Sequence, residues 1–186
     1  TGWGRTGTLF ACEQAGIVPD ILCLSKGLTG GAIPLAITAC TRTFYDAHLS
    51  DDRSRMFFHS SSYTANPIAC AAASANLAIW RDEPVAARIA DIAESHRVFA
   101  ASIGDHPGIA EIRQAGTILA IDLAAGDSGY LSSMAPDIAR FARERGVLLR
   151  PLGHCLYAMP PYCITGNQLG TIHATMIDAI EHFAAR

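Results

Sequence analysis

The sequence predicts an α/β fold arranged in two parts. Short apolar runs such as residues 21–24 stop at polar or glycine-rich sequence, as buried strands do. Longer stretches between these runs carry the alanine-rich or amphipathic patterns typical of helices. A long helical pattern begins near Pro84 and separates the two sets, so we expect one part over residues 1–83 and a second over residues 84–186.

The composition is that of a folded protein without signs of nucleic-acid binding or membrane insertion. The chain has 186 residues, 50% of them hydrophobic, and a net charge of −3, with no basic block and no apolar run long enough to cross a bilayer. Its six cysteines stand singly among apolar neighbours, which predicts reduced core residues of a cytoplasmic protein. The seven histidines lack metal-binding spacing, so we predict no metal site.

Residues 2–7 spell GWGRTG and fit the G-x-G-x-x-G pattern of dinucleotide-binding sites. That interpretation fails because the pattern needs a strand before the glycines and an acidic residue at the end of the next strand, whereas Asp20 precedes the strand. The glycines instead predict a tight loop that leads into a short helix at residues 9–15.

Lys26 is the only lysine among fourteen basic side chains. A lysine amine can lose its proton and attack a carbonyl to form a Schiff base, which a guanidinium does not do. Lys26 lies at the carboxyl end of a predicted strand, and α/β sheets bind their ligands at that end. Desolvation beside the strand would leave more of the amine uncharged and nucleophilic. The alternative is an ordinary surface lysine.

Ser60, Ser61 and Ser62 precede an alanine-rich helix predicted at residues 67–80. Hydroxyl and backbone donors near a helix start suit a phosphate group, although a polar loop with a helix cap fits the pattern equally well. Between the lysine and the serines the sequence predicts a second buried strand at residues 34–40, a helix at 42–48 capped by Thr41, and an exposed loop at 49–55.

The second part begins with a long helix over residues 84–103, whose apolar face is formed by Val85, Ile89, Ile92, Val98 and Phe99. The segments that follow are two paired strands at residues 109–113 and 118–123, a loop at 126–133, a helix at 135–145, two strands at 147–150 and 156–159, and a last helix at 168–184 capped by Thr165 or Asn167.

Arg150 ends one of these strands and precedes Pro151. A guanidinium on such a rigid element can form a bidentate pair with a carboxylate. A structural salt bridge at a domain interface is the alternative.

Four motifs closely resemble those of class III aminotransferases, a family of fold-type I pyridoxal phosphate enzymes: GWGRTG at residues 2–7, LFACE at 9–13, PDI at 19–21 and SKGLTGG at 25–31. The resemblance implies that Lys26 binds pyridoxal 5′-phosphate as an aldimine and then acts as general acid and base. It also implies that residues 1–83 are the end of the large cofactor domain and residues 84–186 the small C-terminal α+β domain.

Within that family the motifs are most similar to those of the biotin-pathway members. This similarity implies transfer of an amino group from S-adenosylmethionine to 8-amino-7-oxononanoate in a homodimer with shared active sites. Ser61 and Ser62 match positions that bind the cofactor phosphate of the neighbouring subunit, and Ser60 matches a substrate-binding position. The family often has Gly-Pro-Thr or Gly-His-Ser at these positions, so Ser-Ser-Ser is a departure in which Ser62 keeps the hydroxyl. Arg150 matches the arginine that holds the substrate carboxylate, and Tyr157 a tyrosine near it.

The motif already under way at Thr1 and the lack of an initiator methionine predict the later part of a longer protein, inactive on its own. The aspartate that pairs with the cofactor's pyridine nitrogen is expected before Thr1. Two alternatives remain: another ω-aminotransferase acting on ornithine, 4-aminobutyrate or β-alanine, and a non-catalytic interaction domain that retains the fold. The motif at residues 25–31 does not distinguish among amino donors.

Overall fold

The structure, a computed structural model, describes residues 2–124 and 132–183. These residues contain six α-helices and five strands, so the predicted α/β character is confirmed. They form two compact units: the first contains residues 2–3 and Leu9–Val85, and the second contains Gly4–Thr8 and the described residues from Ala86 onwards. Within the described ranges, no helix is both long and apolar enough to span a membrane.

The first unit combines a two-stranded antiparallel sheet with three helices. Ile21 lies opposite Cys40, and Leu24 lies opposite Ile37. The strands are β1 (Ile21–Leu24) and β2 (Ile37–Cys40), and the helices are α1 (Ala11–Gln14), α2 (Arg42–His48) and α3 (Pro67–Asp82). Helix α2 begins after Thr41 as predicted, but the Thr41 hydroxyl makes no capping hydrogen bond.

The predicted burial of this hairpin is wrong. Strand β1 alternates exposed and half-buried residues, and all four residues of β2 are exposed. An apolar strand is buried only where another layer covers its face, and the described residues of the first unit do not provide such a layer. The six cysteines are free thiols, yet none is buried; Cys23 and Cys40 lie on the exposed hairpin, so their predicted place in the core is wrong too.

The second unit packs helices against a three-stranded antiparallel sheet in the order β3-β4-β5. Alternate residues of β4, namely Leu119, Ile121 and Leu123, are buried in a core shared with helical side chains such as Met176 and Ile180. The elements are α4 (Val85–Ile103), β3 (Ile109–Ala115), β4 (Ile118–Leu123), α5 (Met134–Glu144), β5 (Cys155–Ala158) and α6 (Gly166–Phe183).

The tight turn from β3 to β4 contacts the glycine-rich segment Gly4–Thr8, which belongs to the same unit. The backbone N–H of Thr117 donates to the Arg5 carbonyl at 3.0 Å, and the Arg5 guanidinium donates to the Pro160 carbonyl at 2.6 Å. The same guanidinium lies 4.5 Å from the centre of the Tyr162 ring. GWGRTG is therefore a tight loop, as predicted, and is anchored at both Thr117 and Pro160.

Residues 147–150 are not the strand that the sequence predicts. Val147 and Leu149 are buried while Leu148 and Arg150 are exposed, so the segment is extended over the core. Alternating burial arises in any extended segment on a core, whereas a strand also needs a neighbour that pairs with its backbone. Among the described residues, 147–150 have no such partner.

Two further expectations for the second unit are decided by side-chain contacts. Val98 is exposed, and the fully buried residue of that face is His96, so the predicted apolar face of α4 is wrong at this position.

Thr165, and not Asn167, caps α6: its hydroxyl accepts from the Gln168 N–H at 3.3 Å, and Gln168 Oε1 accepts from the Thr165 N–H at 3.0 Å. The predicted loop at residues 126–133 lies largely outside the described residues, as does residue 184.

Candidate active site

Lys26 lies where the sequence predicts it, two residues after Leu24, the last residue of β1. It begins a short 3-10 turn, Lys26–Thr29, and its φ of 49° is in the left-handed region that non-glycine residues seldom adopt. Gly30 and Gly31 continue the turn at φ of 62° and 84°, where glycine carries no side-chain penalty. The N–H groups of Leu28 and Gly31 donate to the carbonyls of Ser25 and Lys26, each at 3.2 Å. The lysine backbone is thus held in an uncommon conformation by the turn that follows it.

The residues after Lys26 anchor the turn while Lys26 itself is exposed. Leu28 and Thr29 are buried, and the Thr29 hydroxyl donates to the Ile33 carbonyl at 2.7 Å. Lys26 is exposed, so the described residues do not bury its amine as the sequence predicts. An anchored backbone with a free side chain presents the amine to whatever occupies the space beside it.

That space is a cleft of about 620 Å³ within the first unit. Its walls come from three segments of the chain: Ser25 and Lys26, the apolar connection formed by Gly31 and residues 33–36, and the residues His59, Ser61, Tyr63 and Thr64. Lys26 and Ser61, which lie 35 positions apart, therefore line one cleft. Among the described lining residues, Lys26 is the only lysine or arginine, so an anion entering the cleft meets one cationic side chain.

The serine segment supplies hydroxyl and backbone groups to this cleft, but not at a helix start. Ser61 Oγ accepts from the Tyr63 N–H at 3.2 Å, and Thr64 Oγ1 accepts from the Ser61 N–H at 3.3 Å. The start of α3 is already capped, because Asn66 Oδ1 accepts from the N–H of Ile68 at 3.0 Å. The serines therefore lie just ahead of the helix without capping it, and phosphate binding by Ser61 and Ser62 stays a prediction. Ser60 and Ser62 are exposed beside Ser61.

Arg150 and Tyr157 belong to the second unit, whereas the cleft is built by the first. Arg150 is exposed and makes no side-chain hydrogen bond or ion pair among the described residues, so its guanidinium is available to a carboxylate. Tyr157 is half-buried on β5, opposite Ala120 of β4. Substrate contact by these two residues stays a prediction.

Sequence reasoning missed two polar residues of the first unit. His59 lines the cleft, and its ring is stacked near Phe57 with ring centres 5.7 Å apart. Asn76 projects from α3, and its Nδ2 donates to the carbonyls of Gly27 at 2.9 Å and Leu28 at 3.2 Å. Asn76 could have been noticed in the sequence because it is an amide within an otherwise alanine-rich helix.

Among the described residues, no group of His, Cys, Asp and Glu side chains is placed to hold a metal ion.

The arrangement suits covalent capture of a carbonyl compound that carries an anionic group. Lys26 offers a primary amine, the segment at residues 59–64 offers hydroxyls and N–H groups, and Ile33, Pro34 and Leu35 offer an apolar wall.

Comparison with known proteins gives a consistent result over almost the whole chain. A family model described as Aminotransferase class-III matches residues 1–180. The chain is 44% identical over 181 residues to the adenosylmethionine-8-amino-7-oxononanoate aminotransferase of Synechococcus elongatus, covering 97% of this chain and 42% of that protein. It is 40% identical over 186 residues to the protein of the same name from Nitratidesulfovibrio vulgaris, covering 96% and 34%.

A solved structure agrees with these sequence matches. The crystal structure of adenosylmethionine-8-amino-7-oxononanoate aminotransferase from Methanocaldococcus jannaschii matches with a TM-score of 0.89 at 30% identity, over 98% of this chain and 44% of that one. This chain thus spans less than half the length of the relatives that it matches.

Proposed function

This chain belongs to the class-III aminotransferase family, and from that membership we propose that its protein transfers an amino group from S-adenosylmethionine to 8-amino-7-oxononanoate, giving 7,8-diaminononanoate for biotin synthesis. The observation that carries the proposal is Lys26, the only lysine, at an anchored turn beside a cleft shared with Ser61. The relatives named for this reaction supply the substrates.

The residues of the cleft fit pyridoxal 5′-phosphate. Bound there, the cofactor would supply an aldehyde that condenses with amines and a ring that withdraws electrons from the adjoining carbon. Lys26 Nζ would hold the cofactor covalently, and after its release would move a proton at the substrate carbon. Ser61 and Ser62 would donate to the phosphate of the cofactor held by the neighbouring subunit, and the connection at residues 31–36 gives the ring an apolar surface.

We propose three residues that contact the substrate. Ser60 would contact the substrate beside the cofactor. Arg150 would form a bidentate pair with the carboxylate of 8-amino-7-oxononanoate, and Tyr157 would lie near that pair. The guanidinium of Arg150 is exposed and has no ion-pair partner in the described part of the chain, which supports this role.

We also propose a cytoplasmic homodimer in which each subunit contributes to its partner's site. Support comes from a strongly exposed aromatic segment that continues into the serines: Phe57 is 68% exposed, Phe58 73% and Tyr63 78%. Contiguous exposed apolar side chains of this kind mark interaction surfaces.

The test is reduction with borohydride of the full-length protein loaded with pyridoxal 5′-phosphate, followed by peptide mapping by mass spectrometry. We expect a pyridoxyl group on Lys26, and none in Lys26→Arg, which keeps the positive charge without a nucleophilic amine. An unmodified Lys26 in folded protein would reject the transaminase and favour an interaction domain. Assays with ornithine, 4-aminobutyrate and β-alanine in place of S-adenosylmethionine then separate the proposed donor from those of other ω-aminotransferases.

A further inference from the structure

Helix α3 holds the lysine turn through one side chain. Asn76 Nδ2 donates to two successive carbonyls, those of Gly27 and Leu28, which directly follow Lys26. These contacts join residues 49 and 48 positions apart in the sequence. A carboxamide is suited to this task because its NH₂ carries two donors, so each carbonyl receives a hydrogen.

The fit between Asn76 and the turn is close. A Cβ at Gly30 would lie 3.3 Å from Asn76 Oδ1, a tight contact that the amide would have to relieve by a shift of a few tenths of an ångström. Removing the amide would take one donor from each of two partly buried carbonyls and leave the Gly27 carbonyl with only the Gly30 N–H, which costs free energy and loosens the turn.

The turn is also packed against Trp3. A Cβ at Gly27 would lie 2.4 Å from the Trp3 ring, so the backbone of Gly27 rests on the indole. Trp3 is itself supported by Trp80 of α3, with ring centres 5.9 Å apart. Asn76 and Trp3 therefore both contact the turn, which stabilises the left-handed conformation of Lys26.

We propose that Asn76 is a positioning residue that fixes the direction in which the Lys26 amine enters the cleft. Helix α3 follows the serine segment directly, after the cap at Asn66, so the same helix sets the distance between the Lys26 turn and Ser61. The inference rests on the proposed function for its consequence in catalysis, but not for the contact between Asn76 and the turn.

The first part of the test uses the full-length protein without cofactor. Asn76→Leu removes both donors at similar size and leaves a good helix former. We expect the amides of Gly30 and Gly31 to exchange hydrogen about tenfold faster in this variant, because their acceptors are carbonyls of the loosened turn. Ser74→Ala, on an exposed position of α3, is the matched control and leaves that exchange unchanged. Unchanged exchange in a folded Asn76→Leu protein overturns the proposal.

The second part uses the enzyme loaded with pyridoxal 5′-phosphate. For Asn76→Leu we expect kcat to fall ~10- to 100-fold with KM for 8-amino-7-oxononanoate little changed. We also expect a shift in the pH at which the visible absorption of the Lys26-bound cofactor titrates, and partial recovery of both properties in Asn76→Gln, which keeps the carboxamide. If hydrogen exchange is faster in Asn76→Leu but kcat, KM and the cofactor titration match the wild type, Asn76 has only a structural role and the proposal is overturned. If wild-type Lys26 takes up no pyridoxyl group, the proposed function fails and the catalytic role of Asn76 fails with it, while the exchange data still report on the contact.

Discussion

His96 Nδ1 and His173 Nε2 lie 2.9 Å apart in the second unit, where one ring donates a hydrogen bond to the other. His96 is fully buried, and His173 is stacked on Phe99 with ring centres 4.2 Å apart. Burial lowers the pKa of His173 from its ordinary 6.5 to about 4, with a further contribution from His96, and burial lowers the pKa of His96 as well. The pair is therefore neutral in the folded protein at pH 7.

This pair predicts that stability falls in mild acid. Below pH 6.5 the unfolded protein binds a proton at His173, whereas the folded protein does so only near pH 4. The contribution of neutral His173 to the free energy of unfolding is therefore complete above pH 6.5 and is lost as the pH falls towards 4. The loss amounts to ~3 kcal/mol for His173 alone. Urea unfolding of the full-length protein, followed by circular dichroism between pH 4 and 8, measures it.

A matched pair of variants assigns the effect. His173→Gln removes one titrating ring, so it should flatten the pH dependence between 4 and 6.5. His48→Gln changes an exposed histidine of the first unit and should leave that dependence intact. An equally steep loss of stability in both variants would show that other groups cause it.

The second prediction concerns Gly116, in the turn from β3 to β4. A Cβ there would lie 2.2 Å from the Gly7 nitrogen and 2.3 Å from the Thr6 carbonyl carbon, and the φ of 54° also disfavours a side chain. We expect Gly116→Ala to destabilise the protein by ~2–4 kcal/mol, measured by urea unfolding. Gly146→Ala is the control: its φ is 76°, but nothing lies within 4 Å of the added Cβ, so only the backbone cost of ~1 kcal/mol applies. If the two substitutions lower the free energy of unfolding equally, the contact between Gly116 and Gly4–Thr8 does not contribute to the cost.

Local sequence patterns predict some of these features and miss those that depend on residues distant in the sequence. The place of Lys26 after β1 could be predicted because the strand and the lysine are neighbours in the sequence, and its role as a site residue stays a prediction. The strand at residues 147–150 could not be decided, because alternating burial does not reveal whether a neighbouring backbone is free to pair. Asn76 and His96 were missed for a related reason: the partner of His96 lies 77 positions away, and those of Asn76 lie 48 and 49 positions away. The predicted burial of β1 and β2 was wrong because the burial of a strand depends on which other elements cover its faces.

The third prediction tests the substrate role of Arg150. Arg150→Lys keeps the charge but loses the planar pair of donors, so we expect the KM for 8-amino-7-oxononanoate to rise ~10- to 100-fold. Borohydride labelling of Lys26 should stay at the wild-type level, since Arg150 belongs to the second unit and the cleft to the first. Arg143→Lys, at another exposed arginine, serves as the control for the charge-conserving change. A wild-type KM in Arg150→Lys would argue against carboxylate binding at this position.

The fourth prediction tests whether the serines act within their own chain or in the partner subunit. Lys26 and Ser61 of one chain line the same cleft, whereas the proposed homodimer has the serines serve the neighbouring site. A full-length Lys26→Ala variant and a double Ser61→Ala, Ser62→Ala variant should each be inactive alone. If the sites are shared, a mixed dimer contains one site with both an intact lysine and intact serines. Random mixing makes half the dimers mixed, so ~25% of wild-type activity should return after subunit exchange. If each chain uses its own serines, every site in the mixed dimer lacks one element and no activity returns. Size-exclusion chromatography of differently tagged subunits confirms that exchange has occurred, so an inactive mixture of verified mixed dimers would reject the shared site.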